Sequence, residues 1–532
     1  MVEVNRKLLP VKAHFFFFMA SMGPILPFTI VFGKQLGISE IVMGTVSAVL
    51  PLLFLVAKPA FGYLADYFQR QRKLLFMSVI CIMCGAHILL YFVPAAPIRP
   101  FSVNDITCEE INSCHKKGNY TVREENSMLY NCTWSANTKH IQVERNILTP
   151  EKCSIASKVN VSDLCQNNTS NAYDIMCEPV HTDPYLYSTV TFWSFVILMA
   201  IGSIGYNVAN SISDAICFDV LGEGGEMGYG RQRVFGAIGF GLSALLAGYV
   251  IDLFSTDDSM KNYAPAFILT LAFGLLDIFT CTRLKLPKLP KSESILGDVA
   301  SLLKHRHIVV FLIFATFAGI CDSFIIYFMF WYLEDLAMAS GAMSHVKLIE
   351  GLVIAAETLG GEVIFFSYAG KMIEKLGYEH CLSLSFVFYA LRLGLISLAN
   401  NPWWLLPTEF FLQGPSFALC YTTIVAYASA VAPPGTSATM QGLVAGMDDG
   451  FGYAIGSLAG GVLYQWFGGS WSFLMYSGLA LACAVAHFAL HIFFLKVPSK
   501  PTGKKIHFPN WFNKASKLLD NGRLCSHSSR HM

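Results

Sequence analysis

Apolar runs of about 20 residues recur along this chain of 532 residues, and no other feature constrains its fold as strongly. Each run is long enough to cross the roughly 30 Å hydrocarbon core of a bilayer as a helix. Charged residues make up only 14% of the chain, against about a quarter in soluble domains. The pattern predicts an all-α integral membrane protein. The net charge of +1 provides no basic excess of the kind that indicates nucleic-acid binding.

Hydropathy predicts twelve transmembrane helices, named spans one to twelve below. They lie near residues 12–33, 41–65, 74–94, 186–220, 234–255, 263–282, 307–333, 346–369, 380–399, 403–431, 438–467 and 471–495. The chain then divides into helices one to three at 1–94, a polar loop at 95–185, helices four to six at 186–282, a cytoplasmic linker at 283–306, helices seven to twelve at 307–495 and a basic tail at 496–532.

The distribution of lysine and arginine predicts the orientation of the helices. With the amino terminus in the cytoplasm, the inner loops hold most of the basic residues, and the short outer loops hold little beyond Lys34 and Lys261. We therefore expect both termini in the cytoplasm. We expect the protein in the plasma membrane, with an endosomal or lysosomal membrane as the alternative.

The polar loop 95–185 carries two marks of an extracellular or lumenal location. It holds five N-x-S/T sequons, at Asn119, Asn131, Asn160, Asn167 and Asn168. It also holds six cysteines, Cys108, Cys114, Cys132, Cys153, Cys165 and Cys177. Six cysteines in an oxidising compartment predict three disulfides with fifteen possible pairings. The alternative is a flexible insertion whose sequons occur by chance.

The two halves of the chain contain similar stretches at equivalent positions. Span five contains FGAIGFGLSALLAGYVIDLF and span eleven contains GYAIGSLAGGVLYQWFG, which correspond if spans one to six repeat as spans seven to twelve. Internal repeats of this kind are typical of transporters whose site lies between two helical bundles. The sequence therefore predicts two six-helix bundles.

Short motifs occur in a characteristic order. The stretch GYLADYFQRQRK after span two is followed by YGRQRVFGAIG, FWYLEDL, NPWWLLPTE, LQG, AYASAVAPPG and GSLAGG. The first contains G-x-x-x-D-x-x-x-R-x-x-K and resembles the loop 2–3 signature of the major facilitator superfamily. The ordered set is similar to the family of major facilitator superfamily domain-containing protein six, in the lactose-permease-like branch. The likeness covers the twelve spans and is strongest from 307 to 467.

This resemblance implies the major facilitator fold and a gate at the cytoplasmic side. Gly62, Asp66 and Arg70 occupy positions of the signature, which assigns Asp66 to the gate most directly. Charged residues near the cytoplasmic ends of spans two and four complete the expected gate: Lys58, Asp214 and Asp219. Salt bridges and helix-end contacts there can break when the halves rock. Orientation of the helices by charge alone is the alternative.

Charged residues inside the apolar runs form the candidate site. A charge at mid-bilayer costs several kcal/mol unless it is paired or hydrated. Glu409 and Arg392 lie at similar depths in spans ten and nine, so we expect them to face each other, with Glu357 or Glu362 nearby. Asp322 falls near the middle of span seven. Because the similar lactose-permease-like symporters carry coupling charges on helices eight to ten, these acids are proton or substrate carboxylates in our interpretation. A static ion pair is the alternative.

Other polar residues extend the candidate site. Asp448 and Asp449 in span eleven could contact a cation or an amine, or they could lie in a hydrated inner vestibule. Further candidates for the lining of a polar cavity are Tyr206, Asn207, Asn210, Tyr327 and Gln413.

The sequence analysis predicts a secondary active transporter, coupled to protons, that moves a small polar organic solute by alternating access. Its expected partners are this solute, protons and the lipid bilayer. No enzyme, cofactor or metal is expected, because no metalloprotease, hydrolase or nucleotide motif occurs. The alternative is a cell-surface receptor or adhesion protein that binds an extracellular protein through the loop 95–185.

Overall fold

The structure is a computed structural model. It describes residues 8–38, 40–95, 115–116, 127–134, 140–146, 153–156, 175–180, 187–222, 225–255, 261–287, 292, 294–341 and 346–495. Several predicted loop residues lie outside the described residues: Asn119, Asn160, Asn167, Asn168, Cys108, Cys114 and Cys165. The predicted basic tail 496–532 also lies outside them.

Spans one to six are helical. The first helix, Leu9–Met22, ends just before Pro24, and a 3₁₀ turn at Leu26–Phe28 leads into Thr29–Gln35. This interruption follows from Pro24 and Pro27, since proline lacks the N–H that continues the helix. The following helices are Glu40–Tyr67, Arg72–Leu89, Val190–Leu221, Gly230–Phe254 and Ala264–Arg283.

Spans seven to twelve are also helical, and four of them contain π-helical segments, the last of which is His491–Leu495 in span twelve. A short linker helix, Ile295–Leu302, precedes Arg306–Ser340. Span eight consists of Val346–Ala355, the π-helical segment Ala356–Glu362 and Val363–Leu376, and span nine is Tyr378–Ser397. Span ten consists of Leu405–Gln413, the π-helical segment Gly414–Ala418 and Leu419–Val431. Spans eleven and twelve comprise Ser437–Ala445, the π-helical segment Gly446–Gly452, Tyr453–Leu490 and His491–Leu495.

Ten helices among the described residues are long and apolar enough to cross a membrane. One of these, Ser437–Phe493, has 57 residues. It is broken at Gly468, whose φ of 77° is not helical, and therefore contains the positions of predicted spans eleven and twelve. The series Val346–Leu376 at span eight is helical but is not among the ten. The prediction of a multi-span helical membrane protein is confirmed.

The loop 95–185 departs from the all-α prediction, because five strands lie within it. These are β1 His115–Lys116, β2 Ser127–Trp134, β3 His140–Asn146, β4 Cys153–Ala156 and β5 Ile175–Val180. They form one sheet in the order β1-β4-β3-β2-β5, antiparallel except for the β1–β4 pair. In the β2–β5 ladder, Cys132 lies opposite Cys177 and Asn131 opposite Glu178.

The helices pack around two large hydrophobic cores and two smaller clusters of four buried residues each. One large core is built mainly from residues 11–284 and the other from residues 302–484. The first core also takes in Val425, Ala426 and Ala438, so the two halves of the chain pack together there. Large apolar side chains such as Val190 and Trp466 remain more than 70% exposed on the outside of the helices, as expected where a helix faces lipid rather than water.

Candidate functional site

Arg392 lies at the centre of the predicted cluster of charges. Its Nε atom donates to Oε1 of Glu409 at 3.1 Å, and its Nη2 atom forms an ion pair with the second oxygen of the same carboxylate. Nη2 also donates to Oε1 of Glu357 at 3.4 Å. Arg392 and Glu409 are buried, while Glu357 keeps 17% of its side chain exposed. The guanidinium of Arg392 therefore links spans eight, nine and ten and binds two carboxylates.

The π-helical segments hold most of the acids in the candidate site. Glu357 and Glu362 belong to Ala356–Glu362, and Asp448 and Asp449 belong to Gly446–Gly452. A π-helical turn is rare and is frequently found at functional sites. The glycines of these segments also permit close packing: a Cβ atom at Gly361 would lie 3.0 Å from the backbone nitrogen of Gly414 in span ten.

Glu362 does not contact Arg392 directly. Its Oε1 atom accepts a hydrogen bond from Nε2 of Gln413 at 3.0 Å. Electrostatic interactions link Glu362 to Arg233 of the first half and to Asp322 and Arg392 of the second half. The Oε1 atom of Gln413 is buried and has no hydrogen-bond partner among the described residues. Of the two acids expected beside the arginine, Glu357 therefore makes the contact.

Asp322 is held by two tyrosines that the sequence analysis did not single out. The hydroxyl of Tyr389 donates to Oδ1 at 3.3 Å, and the hydroxyl of Tyr453 donates to Oδ2. Tyr327, a predicted cavity residue, lies with its ring 6.4 Å from the ring of Tyr453. The carboxylate in span seven is thus bound by neutral donors on spans nine and eleven.

Lys58, one of the predicted gate residues, pairs with Asp449. It precedes Asp66 by two helical turns on the same helix, about 12 Å further into the membrane. The neighbouring Asp448 is partly exposed and accepts no hydrogen bond from any residue that the structure describes. The acidic pair therefore divides into one carboxylate with a cationic partner and one without.

Asp66 joins span two to the start of span eleven. Its carboxylate accepts hydrogen bonds from the backbone N–H groups of Ala438 at 3.2 Å and Thr439 at 2.6 Å, and from the Thr439 hydroxyl at 2.7 Å. A carboxylate here caps the helix that begins at Ser437 and complements its dipole. Gly62 lies one turn earlier, where a Cβ atom would collide with the carbonyl oxygen of Ala438.

The other predicted gate residues, Asp214, Asp219 and Arg70, each have different surroundings. The carboxylate of Asp214 accepts hydrogen bonds from Tyr229 at 2.7 Å and from Tyr421 of the second half at 2.6 Å. Asp219 pairs with Arg72 at 2.6 Å, within the first half, whereas Arg70 is exposed.

Asn210 and Arg233 extend the Asp214 contact between the halves. The Nη1 atom of Arg233 donates to Oδ1 of Asn210 at 2.8 Å, and Nδ2 of Asn210 donates to the Tyr421 hydroxyl at 3.0 Å. The predicted cavity residues Tyr206 and Asn207 make contacts within the first half of the chain instead. Tyr206 stacks on Phe18, and the amide of Asn207 donates to the carbonyl of its own helix at position 203.

A second buried polar cluster was missed by the sequence analysis. Nδ1 of His14 lies 2.7 Å from Oδ1 of Asp277, and Nε2 of His14 lies 2.8 Å from the hydroxyl of Ser213. The Cys281 sulfur lies 3.3 Å from the same Nδ1. Asp277 stands in the apolar run GLLDIF, so the rule that singled out Glu409 would also have found it.

Helices in two packed halves, with buried charges where the halves meet, define a membrane transporter of the major facilitator class. The sequence profile of the MFS_1 like family matches residues 8–475, and the chain belongs to that family. The resemblance inferred from the motifs is thereby confirmed. This family consists of transporters and not of enzymes.

Individual relatives are similar to the chain over half or more of its length. Major facilitator superfamily domain-containing protein 6-like of Danio rerio is 24% identical over 518 residues, which cover 91% of this chain and 88% of that protein. The chain spans about two thirds of the length of the bacterial permeases that it matches in sequence.

Two solved structures share the fold at low sequence identity. The nucleoside transporter NupG has a TM-score of 0.53 and 16% identity, covering 91% of this chain and 99% of that one. The proton:xylose symporter XylE has a TM-score of 0.54 and 13% identity, covering 94% and 96%. These likenesses show the major facilitator fold.

Proposed function

We propose that the protein is a proton-coupled secondary transporter that moves a small polar organic solute by alternating access. The proposed architecture has twelve spans in two six-helix bundles, comprising 1–94 with 186–282 and then 307–495, joined by the linker 283–306. Family membership supports transport, and solved proteins of this fold include a proton symporter and a nucleoside transporter.

The charge balance around Arg392 carries the proposal of proton coupling. Two carboxylates, Glu409 and Glu357, meet one guanidinium in a site that is almost closed to solvent. An uncompensated negative charge in such a place costs several kcal/mol. One proton on either carboxyl group removes that charge. The cluster can therefore take up a proton in one conformation and release it in another.

The contacts between the halves support alternating access. Asp66 binds the start of span eleven, and Tyr421 of the second half binds Asp214 of the first half. Both contacts lie toward the side that the charge pattern assigns to the cytoplasm. Rocking of the two halves would break these hydrogen bonds and open that side. Lys58 and Asp449 form a third link deeper in the membrane.

Flux measurements on purified protein in liposomes test this function. A panel of nucleosides, sugars and amines is supplied under an imposed pH gradient, and at least one solute should accumulate. Glu409→Gln and Glu357→Gln should abolish accumulation driven by the gradient while retaining exchange of labelled for unlabelled solute. Glu374→Gln is the matched control, because Glu374 is exposed on span eight. Full gradient-driven accumulation in both site variants would contradict the proposal.

The sheet within 95–185 favours a second candidate function, that of a cell-surface receptor. On this proposal the segment is glycosylated and cross-linked by disulfides. It lies on the extracellular side of a plasma-membrane protein whose termini are cytoplasmic. Replacement of 95–185 by a short linker should then abolish binding of an extracellular protein while leaving solute flux intact. Loss of flux without loss of a binding partner would count against the receptor function.

A further inference from the structure

Carboxylates outnumber cationic groups in the middle of the described helices. The acids are Asp214, Asp322, Glu357, Glu362, Glu409, Asp448 and Asp449, and the bases are Lys58, Arg233 and Arg392. Lys58 pairs with Asp449, and Arg392 pairs with Glu409 and Glu357. Arg233 interacts electrostatically with Asp214. Among the described residues, Asp214, Asp322, Glu362 and Asp448 form no ion pair, and the last three belong to the second half of the chain.

Charge interactions connect these three acids through Asp322. Electrostatic interactions link Asp322 to Glu362 and to Asp448. Glu362 and Asp448 keep partial exposure, so a polar ligand can reach them. Asp322 already accepts two tyrosine hydroxyls, Glu362 accepts one amide hydrogen, and Asp448 accepts none. Most of the acceptor capacity of this set is unused by the protein.

Gln413 supplies an independent observation that points to a ligand. The residue is only 8% exposed, and its Nε2 atom is committed to Glu362. Its Oε1 atom, on the same amide, is buried without a hydrogen-bond partner in the described part of the chain. A buried acceptor left unpaired costs about 1–3 kcal/mol. The unpaired carbonyl oxygen of Gln413 therefore lies beside a carboxylate that accepts only one amide hydrogen, and both groups have acceptor capacity left for a ligand.

Aromatic rings lie close to the same acids. Tyr453 binds Asp322, and Tyr327 interacts electrostatically with Asp322 and Asp449. Tyrosine faces attract cations within about 6 Å of the ring centroid. A neutral sugar or nucleoside would satisfy the carbonyl oxygen but would leave the surplus negative charge uncompensated. A cation with N–H donors would both donate to the carbonyl oxygen and balance the negative charge.

We propose that the transported solute is a small organic cation with a protonated amino group. The ammonium donates to Glu362 and to Oε1 of Gln413, and its charge is balanced by Glu362, Asp322 and Asp448. This inference rests on the proposed transport function and names its substrate class. The N–H groups are essential, because a quaternary ammonium carries the same charge and has no donor for the carbonyl oxygen.

Thermal stabilisation of the purified full-length protein tests the inference without requiring transport. The probes are primary aliphatic and aromatic amines, each with its N-trimethylated analogue and the corresponding neutral alcohol. Primary amines should raise Tm in a saturable way, and the trimethylated analogues should bind about tenfold more weakly or not at all, since one charge-assisted hydrogen bond accounts for about tenfold in affinity. Stabilisation by Na⁺ alone, or by the alcohols as strongly as by the amines, would overturn the inference.

Variants separate binding from folding. Glu362→Gln and Gln413→Leu should each lose amine stabilisation by about tenfold or more in affinity, while Glu374→Gln should bind as the unaltered protein does. A site variant that does not fold is replaced by Gln413→Glu, which adds a carboxylate and should strengthen amine binding. The assignment would be contradicted if the amine affinity were unchanged both in Glu362→Gln and in Gln413→Leu. Where one of these does not fold, unchanged affinity in the other and in Gln413→Glu would contradict it.

The two proposals fail in different ways. Amine binding without uptake driven by a pH gradient would overturn the transport function and leave the cation site standing. Gradient-driven uptake of a sugar or nucleoside, with no binding of any amine, would overturn the cation inference and leave proton-coupled transport standing.

Discussion

Lys58 and Asp449 form an ion pair between residues that are 391 positions apart in the chain. The lysine side chain is entirely buried, whereas Asp449 keeps 18% of its side chain exposed. Lys58 belongs to span two and Asp449 to the π-helical segment of span eleven. The pair therefore links the two halves of the protein inside the membrane.

The difference in exposure predicts unequal effects of the two single substitutions. Asp449→Leu leaves a buried ammonium without a partner and should destabilise the protein by on the order of 3 kcal/mol. Lys58→Met leaves a carboxylate that can still be hydrated, so its effect should be smaller. The double variant should be more stable than Asp449→Leu alone. Thermal unfolding of the purified proteins measures this, and a double variant at least as unstable as Asp449→Leu would contradict the pairing.

Close contact between spans two and eleven predicts a steric effect at Gly62. Gly62→Leu would push Ala438 away and hold the cytoplasmic side open. Cysteines introduced beside Asp66 should then react faster with a water-soluble maleimide, and flux should fall at equal expression. Gly85→Leu is the matched control, because nothing lies within 4 Å of a Cβ atom there. Equal labelling rates in the two variants would show that Gly62 is not a point of contact.

The His14–Asp277 pair predicts strong coupling between spans one and six. His14→Leu leaves Asp277, which has no exposed area, without its main partner and should cost about 3 kcal/mol. His14→Leu combined with Asp277→Leu should recover much of that loss, because no buried charge then remains. Unfolding measurements on the single and double variants give the interaction energy, and additive effects would exclude coupling.

The register of the β2–β5 ladder narrows the fifteen possible disulfide pairings. Directly opposite residues in an antiparallel ladder have Cα atoms about 4.5–5.5 Å apart, which falls within the range that a disulfide spans. Cys132 lies opposite Cys177. Peptide mapping of the unreduced protein should therefore recover a Cys132–Cys177 linked pair. A map that joins either cysteine to a different partner would contradict this register.

The sequence could predict which charged residues form the site, because a charge inside an apolar run needs a partner in the membrane. Glu409 and Arg392 have similar depths on neighbouring helices, and the structure pairs them. The choice between Glu357 and Glu362 could not be made in the same way. The two lie five residues apart, and the face that each occupies depends on the π-helical segment between them, which no periodicity in the sequence reveals.

Other parts of the site depend on packing between distant segments. The sequence does not indicate that Arg72 rather than Arg70 pairs with Asp219, because the two arginines lie only two positions apart, within and directly after the same turn. The tyrosines that bind Asp322 and Asp214 come from spans nine to eleven and from Tyr229, which directly precedes the helix Gly230–Phe254. The five strands within 95–185 were not predicted, because cysteines and sequons indicate the compartment of a segment and not its secondary structure.

The proposed function depends on one proton held by the cluster of Arg392, Glu409 and Glu357. Infrared difference spectroscopy of the purified protein, recorded across a pH step, detects the C=O stretch of a protonated carboxyl group directly. We expect such a band in the unaltered protein and in Glu374→Gln, and its loss in Glu357→Gln or in Glu409→Gln. A spectrum in which the band is unchanged in both site variants would contradict the proposal that this cluster carries the coupled proton.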